Sequence, residues 1–262
     1  TALVSSQWTT SGNAVYYNVG ATADGNVGIG TTTPQALLDV NGSILQRVPA
    51  TMTIKSSITG FTSAKSVFVS GRYAYVADQT GNSLYVVDVS NPSSPVIVGS
   101  VSDSQNYLAL PMAVFVSGTY AYAAGNDRLA VIDVSNPSSP VIVGGVRNST
   151  LISGPAAVFV SGRYAYLPGS SVFAVIDISN PRSPKIVGSI SDAVNFGLAR
   201  GVFVSGRYAY VTAVSNSKFV AIDVSNPYTP VVVGTVSDAT NLSGAEGLFV
   251  SGRYAYVVAN VS

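Results

Sequence analysis

The chain has neither histidine nor cysteine among its 262 residues. That removes imidazole acid–base catalysis, Ser-His-Asp and Cys-His nucleophiles, and the common zinc and copper sites. Carboxylates are the groups left for chemistry. Asp103, Asp192 and Asp238 each follow Val-Ser or Ile-Ser, and Glu246 is the single glutamate. Two acids about 5–10 Å apart could cleave a glycan as a hydrolase or lyase, which is the enzymatic alternative. Periodic placement argues for a simpler role, since a catalytic carboxylate has no reason to be copied along a chain. Asp88, Asp133, Asp177 and Asp223 carry that argument further: each precedes Ser-Asn-Pro, at intervals of 44–46 residues. An aspartate there can accept backbone N–H groups and lock a turn. Asp78-Gln-Thr-Gly-Asn82 and Gly125-Asn-Asp127 offer hard oxygens of the kind calcium takes, but at the density of ordinary turns. No metal or cofactor is expected.

These acids sit in a repeat. Val-Phe-Val-Ser-Gly-x-Tyr-Ala-Tyr begins at Val67, Val114, Val158 and Val202, with a Leu-Phe variant at Leu248. Units of 40–45 residues rich in Val, Ile, Tyr and Phe, broken by Gly, Asn-Pro and Ser-Pro, indicate four-stranded propeller blades. In the second unit, strand A is expected at 112–116, B at 120–124, C at 129–134 and D at 141–145. Ser117-Gly118 makes the A–B turn and the two prolines place the C–D turn outside the sheet. Apolar runs in A, C and D imply strands covered on both faces by neighbouring blades. Ala74, Ala121, Ala165, Ala209 and Ala255, each between two tyrosines, suit close packing.

The phrases VIDVSNPSSPVIVG and VIDISNPRSPKIVG resemble the LVIVD repeat of bacterial and archaeal extracellular proteins, over roughly residues 51–260. The resemblance implies a β-propeller and implies little about chemistry. The expected fold is therefore all-β: four complete blades plus a partial fifth within 51–262. Residues 51–60 align with a strand D, which would complete the final blade together with strands from the end of the chain. No strand C follows 247–258, so ring closure is expected to need further blades.

Residues 1–44 lie outside the repeat, and 45–50 read as a linker. Trp8, Gly12, Tyr16, Tyr17, Gly25 to Thr31, Pro34, Leu38 to Val40 and Gly42 resemble a module of phage tail fibres and bacterial surface fibres. Alternation at Val27, Ile29, Leu38 and Val40 indicates short strands with too little core to stand alone. The resemblance implies a stalk, with a homotrimer as one form.

Function in such a repeat is expected where blades differ. The A–B and C–D turns share one face and are near-identical. Arg72, Arg163, Arg207 and Arg253, with Thr119 in the remaining unit, read as solvated turn residues on it. The B–C and D–A loops share the other face and vary. The D–A loops contribute Gln105, Asn106, Tyr107, Arg147, Asn148, Asn195, Phe196, Arg200, Asn241 and Glu246 as candidate ligand contacts. The B–C loops add Asp78, Asn82, Asn126, Asp127, Arg128, Asn216 and Lys218. Amides with exposed aromatics suit a glycan or a protein surface.

Only 10% of residues are charged and the net charge is +1. No basic patch points to nucleic acid, and no apolar run reaches the length of a membrane helix. The richness in Ser, Thr, Asn and Gly leans towards an extracellular or cell-surface protein. The expectation is thus a binding or scaffold protein rather than an enzyme, with a purely structural spacer as a further alternative.

Overall fold

A computed structural model describes residues 53–260 and, within the first forty residues, the backbone of four short strands. The chain divides into two units, Thr1–Thr53 and Ile54–Ser262. In the first, β1 (Trp8–Ser11) pairs antiparallel with β2 (Ala14–Tyr17), and β3 (Val27–Ile29) pairs parallel with β4 (Leu38–Val40). The strands expected at Val27–Ile29 and Leu38–Val40 are present. The linker at 45–50 lies outside the described residues.

The second unit is a succession of antiparallel blades. Blade 1 is β5 (Ala64–Ser70), β6 (Tyr73–Asp78), β7 (Ser83–Asp88) and β8 (Val96–Ser102). Blade 2 is β9 (Ala113–Ser117), β10 (Tyr120–Gly125), β11 (Arg128–Asp133) and β12 (Val141–Arg147). Blade 3 is β13 (Phe159–Ser161), β14 (Tyr164–Pro168), β15 (Val172–Asp177) and β16 (Lys185–Ser191). Blade 4 is β17 (Ala199–Ser205), β18 (Tyr208–Ala213), β19 (Lys218–Asp223) and β20 (Val231–Ser237). A final pair, β21 (Ala245–Ser251) and β22 (Tyr254–Ala259), repeats strands A and B. The glycine after each Val-Ser has φ near +60°, at Gly71, Gly118, Gly162, Gly206 and Gly252. It occupies the first of two turn positions, where only glycine turns without steric penalty.

Apolar cores lie between blades. The second tyrosine of Tyr-Ala-Tyr leaves one blade and meets the strand-A valines of the next. Tyr75, Leu84 and Val86 pack on Val114, Val116 and Ala121. Tyr122, Leu129 and Val131 pack on Val158, Val160 and Ala165. Tyr166, Phe173 and Val175 pack on Val202, Val204 and Ala209. Phe68, Phe115, Phe159, Phe203 and Phe249, at the middle of the A strands, form a row with centroids 4.6–5.1 Å apart. The outer surfaces of this series are uncovered among the described residues: Val67 is 62% and Tyr256 60% exposed, whereas Val114 and Tyr122 are buried.

Two expectations need correction. The D strands are only half-buried, while B and C, and A in blades 2 and 4, are the covered ones. D is the outermost strand, where blades splay apart, so its apolar run does not signal cover on both faces. Residues 53–60 form no strand. Ile58 and Phe61 instead pack on Ala74, Val76 and Val87 of blade 1.

Candidate functional site

The loop face is held together by one device used in every blade. The first residue of each D–A loop donates its N–H to the B–C loop of the same blade. These bonds run from Asp103 to Asn82, Asn148 to Asp127, Asp192 to Ser171 and Asp238 to Ser217, at 2.9–3.1 Å. Its side chain then accepts N–H groups from the next turn. Asp103 takes those of Gln105, Asn106 and Tyr107. Asn148 takes those of Thr150 and Leu151, Asp192 those of Val194 and Asn195, and Asp238 those of Thr240 and Asn241. An apolar residue four or five positions on (Leu108, Ile152, Phe196 or Leu242) turns inward beneath the loop; the first three are buried. Burial opposes ionisation of Asp103, yet its three N–H donors hold its carboxyl below the ordinary value. The Asn241 amide, then backbone N–H groups, do the same for Asp238.

This architecture sorts the candidate residues. Phe196 is fully buried and lies 6.1 Å, centroid to centroid, from Phe173. It is core, not a ligand contact: an aromatic residue in a variable loop looked exposed because the inward turn of that loop is invisible in composition. Asn148 is the blade 2 counterpart of the capping aspartates. Asn195 and Asn241 donate to Asp192 and Asp238. Lys218 donates to Asn195 at 2.9 Å, and Asn216 to the carbonyls of Ala193 and Val194. Buried Arg128 donates to Asp127 and to the Asn106 carbonyl, and Arg147 to Asp127. Burial opposes the charge on Asp127, but Arg147 and Arg128 outweigh it and lower its pKa. Asp78 is buried and accepts the N–H groups of Thr62 and Ser63. These oxygens, suited in principle to a cation, are therefore already engaged. Tyr107 stays about one-third exposed, and Gln105, Arg200 and Glu246 stay exposed.

The residues that do converge surround a cleft of about 260 Å³ at the inner end of the loops. It is lined by Gln79, Leu110, Met112, Asn126, Gly154, Ala156, Leu198, Ala199 and Arg200. Of these, sequence reasoning named Asn126 and Arg200. The signal for others was the repeat phase. The residue three before the strand-A phenylalanine is Lys65, Met112, Ala156, Arg200 or Glu246. Five different side chains occupy this position, two residues from a nearly invariant Val-Phe-Val. The residue five before the phenylalanine is Leu110, Gly154, Leu198 or Gly244 in the later units, all with positive φ of 47–62°. Leu110 N–H donates to the Asn82 side chain and Leu198 N–H to the Ser170 carbonyl, fixing that backbone.

The opposite face pairs the repeated arginines with the repeated aspartates: Arg72 with Asp88, Arg163 with Asp177 at 2.5 Å, and Arg207 with Asp223. The arginine, then Ser90, Ser179 or Ser225, holds these carboxyls at about 2. Each of these arginines also lies over the adjacent tyrosine ring. These arginines are thus solvated turn residues, as expected, and each is also paired with the aspartate of its own blade. The face is also less uniform than its motif. The residue after Asn-Pro is Ser93, Ser138, Arg182 or Tyr228, and the last two reach clefts beside Asp133 and Asp177 of the preceding blade.

Stacked four-stranded antiparallel sheets with their cores between blades define a β-propeller type of protein. The chain belongs to the LVIVD repeat family, which it matches over residues 62–103, 111–148, 155–192, 196–238 and 244–261. No curated protein matches it. Among solved structures it is similar to a putative 6-phosphogluconolactonase from Bacteroides uniformis (18% identity, TM-score 0.62, 74% of this chain and 62% of that one). It is also similar to the periplasmic gluconolactonase of Pseudomonas aeruginosa (16%, 0.61, 74% and 64%). A functionally unknown protein from Desulfotomaculum acetoxidans is a third (15%, 0.58, 69% and 60%). The chain spans less than two thirds of the length of each, and at these identities the likeness is one of fold. Among the described residues, no helix is long and apolar enough to cross a membrane.

Proposed function

We propose that the protein is a non-enzymatic binding or scaffold protein of the cell surface or extracellular space. Its loop-face cleft takes a protein or glycan. The observation that carries this reading is the contrast in side-chain variation. Positions that hold the loops repeat from blade to blade, while those lining the cleft do not, and a repeat array becomes specific through such positions. The first 44 residues, resembling a fibre module, would tether this surface and could bring three copies together. Against a polysaccharide hydrolase or lyase stands the engagement of Asp103, Asp192 and Asp238 as turn caps. Glu246 then has no second free loop carboxylate of that set to work with.

The test is an immobilised chain probed with glycan and protein arrays, beside the Arg200→Glu variant, and an assay for new reducing ends on polysaccharides. Retention by the native chain that the variant loses is the expected result. Release of reducing ends would overturn the non-enzymatic reading, and retention unchanged in the variant would remove the cleft from the site.

A further inference from the structure

We propose that the cleft binds a peptide segment carrying an aliphatic side chain next to a carboxylate, and so takes a protein rather than a glycan. The inference rests on the cleft being the binding site. Its first support is strain. Leu110 and Leu198 hold φ of 50° and 47°, at a position that is glycine in the two other blades that share it. A leucine in this left-handed region is a steric outlier, and such outliers gather where a ligand is held. Burial does not explain them: Leu110 is 41% and Leu198 47% exposed, and both line the cleft. Two bulky side chains are thus kept in an unfavourable backbone and pointed at solvent, where a glycine would fold more easily.

The second support is the chemistry of the lining. Leu110, Leu198 and Met112 offer aliphatic and thioether surface, and no aromatic ring lines the cleft. A sugar would be stacked on a ring; an aliphatic side chain is matched by leucine and methionine. The third is charge. Arg200 is exposed and makes no hydrogen bond or ion pair among the described residues, Glu246 included. The two carboxylates nearest in sequence to the lining, Asp78 beside Gln79 and Asp127 beside Asn126, are spent internally. A guanidinium left free beside an apolar slot recognises a carboxylate, on which it can place two parallel N–H donors. The side-chain amides of Gln79 and Asn126, likewise unbonded among the described residues, match a peptide backbone.

The experiment is an array of short Gly/Ser-flanked peptides centred on Leu-Asp, Leu-Asn, Leu-Lys or Ser-Asp, run in parallel with a glycan array. Native chain, Arg200→Glu and the double variant Leu110→Gly, Leu198→Gly are compared. Leu-Asp should be retained about ten-fold more strongly than Leu-Lys, an effect the size of one charge-assisted contact. Arg200→Glu should invert that order. The double variant should lose the binding while its Tm rises by roughly 2–4 °C as the strain is relieved. Equal retention of Leu-Asp and Leu-Lys would overturn the inference, and so would a fall in Tm, which would make the leucines packing residues. Glycan retention that Arg200→Glu abolishes, without peptide retention, would overturn the peptide and keep the binding site. Silence on both arrays would overturn both.

Discussion

The two faces of the propeller solve the same problem in different ways. On the turn face, the same residues recur: Asp before Ser-Asn-Pro, Arg after Ser-Gly, and a glycine in strand D. On the loop face, the same backbone bonds recur while the side chains change. Asp103, Asn148, Asp192 and Asp238 all cap, and Leu108, Ile152, Phe196 and Leu242 all turn inward. Repetition of sequence fixes one face; repetition of hydrogen-bond geometry fixes the other and frees its inner rim to vary. A repeat protein can thus be rigid where it presents an individual surface.

The largest effect should come from a loop residue that behaves as core. Phe196→Ala removes a fully buried ring stacked near Phe173. The expected loss is about 3–5 kcal/mol, measured by denaturant unfolding. Tyr107→Ala, in the corresponding loop of the first blade, should lose far less because the ring is partly exposed. Equal losses would mean that the loops are not anchored by their buried residues.

On the turn face the matching test is steric. A Cβ on Gly99, Gly144 or Gly188 would stand 2.3, 2.5 or 2.1 Å from the carbonyl oxygen of Pro137, Pro181 or Pro227 in the next blade. Gly99→Ala, Gly144→Ala and Gly188→Ala should therefore each destabilise by about 1–3 kcal/mol, measured by denaturant unfolding.

Much of this was legible in the sequence, because the repeat reports itself. Period, strand order, the division of loops between faces and the capping aspartates all follow from residues that recur in phase. Blade 2 was placed to within a residue or two of β9 to β12. The inward turn of Phe196 was not legible, since a single variable aromatic carries no period. Nor was the half-burial of the D strands, which depends on how far blades diverge at the rim. Leu110 and Leu198 escaped notice because positive φ is a property of backbone geometry; only their alternation with Gly154 and Gly244 hinted at it.

A smaller effect separates the caps. Asp238→Ala removes the acceptor for Thr240, the Asn241 backbone and the Asn241 amide. The loop should loosen, with faster amide exchange at these residues and little change in global unfolding, because the blade core is untouched. Asp238→Asn keeps an acceptor, as Asn148 does in blade 2, and should leave exchange nearly native.

The smallest effect is electrostatic and depends on pH. Asp88, Asp177 and Asp223 titrate at about 2 when folded, below their ordinary value, because each meets an arginine. A depressed pKa means stability that is present above the unfolded value, near 4, and lost as pH falls towards 2. Tm should therefore decline across that window and be flat above it. Asp133 breaks the series, since Thr119 stands where the other blades have arginine. Its carboxyl is lowered first by Ser135, with Arg182 of the next blade contributing. Thr119→Arg supplies the absent guanidinium. The Asp133 carboxyl should then titrate lower by NMR, towards its three counterparts, and the decline in Tm below pH 4 should steepen slightly. Exposed pairs of this kind contribute little, so an unchanged Tm at pH 7 is expected. An unchanged Asp133 titration would show instead that Arg182 already serves as its partner, and that the turn face, too, lets one blade differ from the rest.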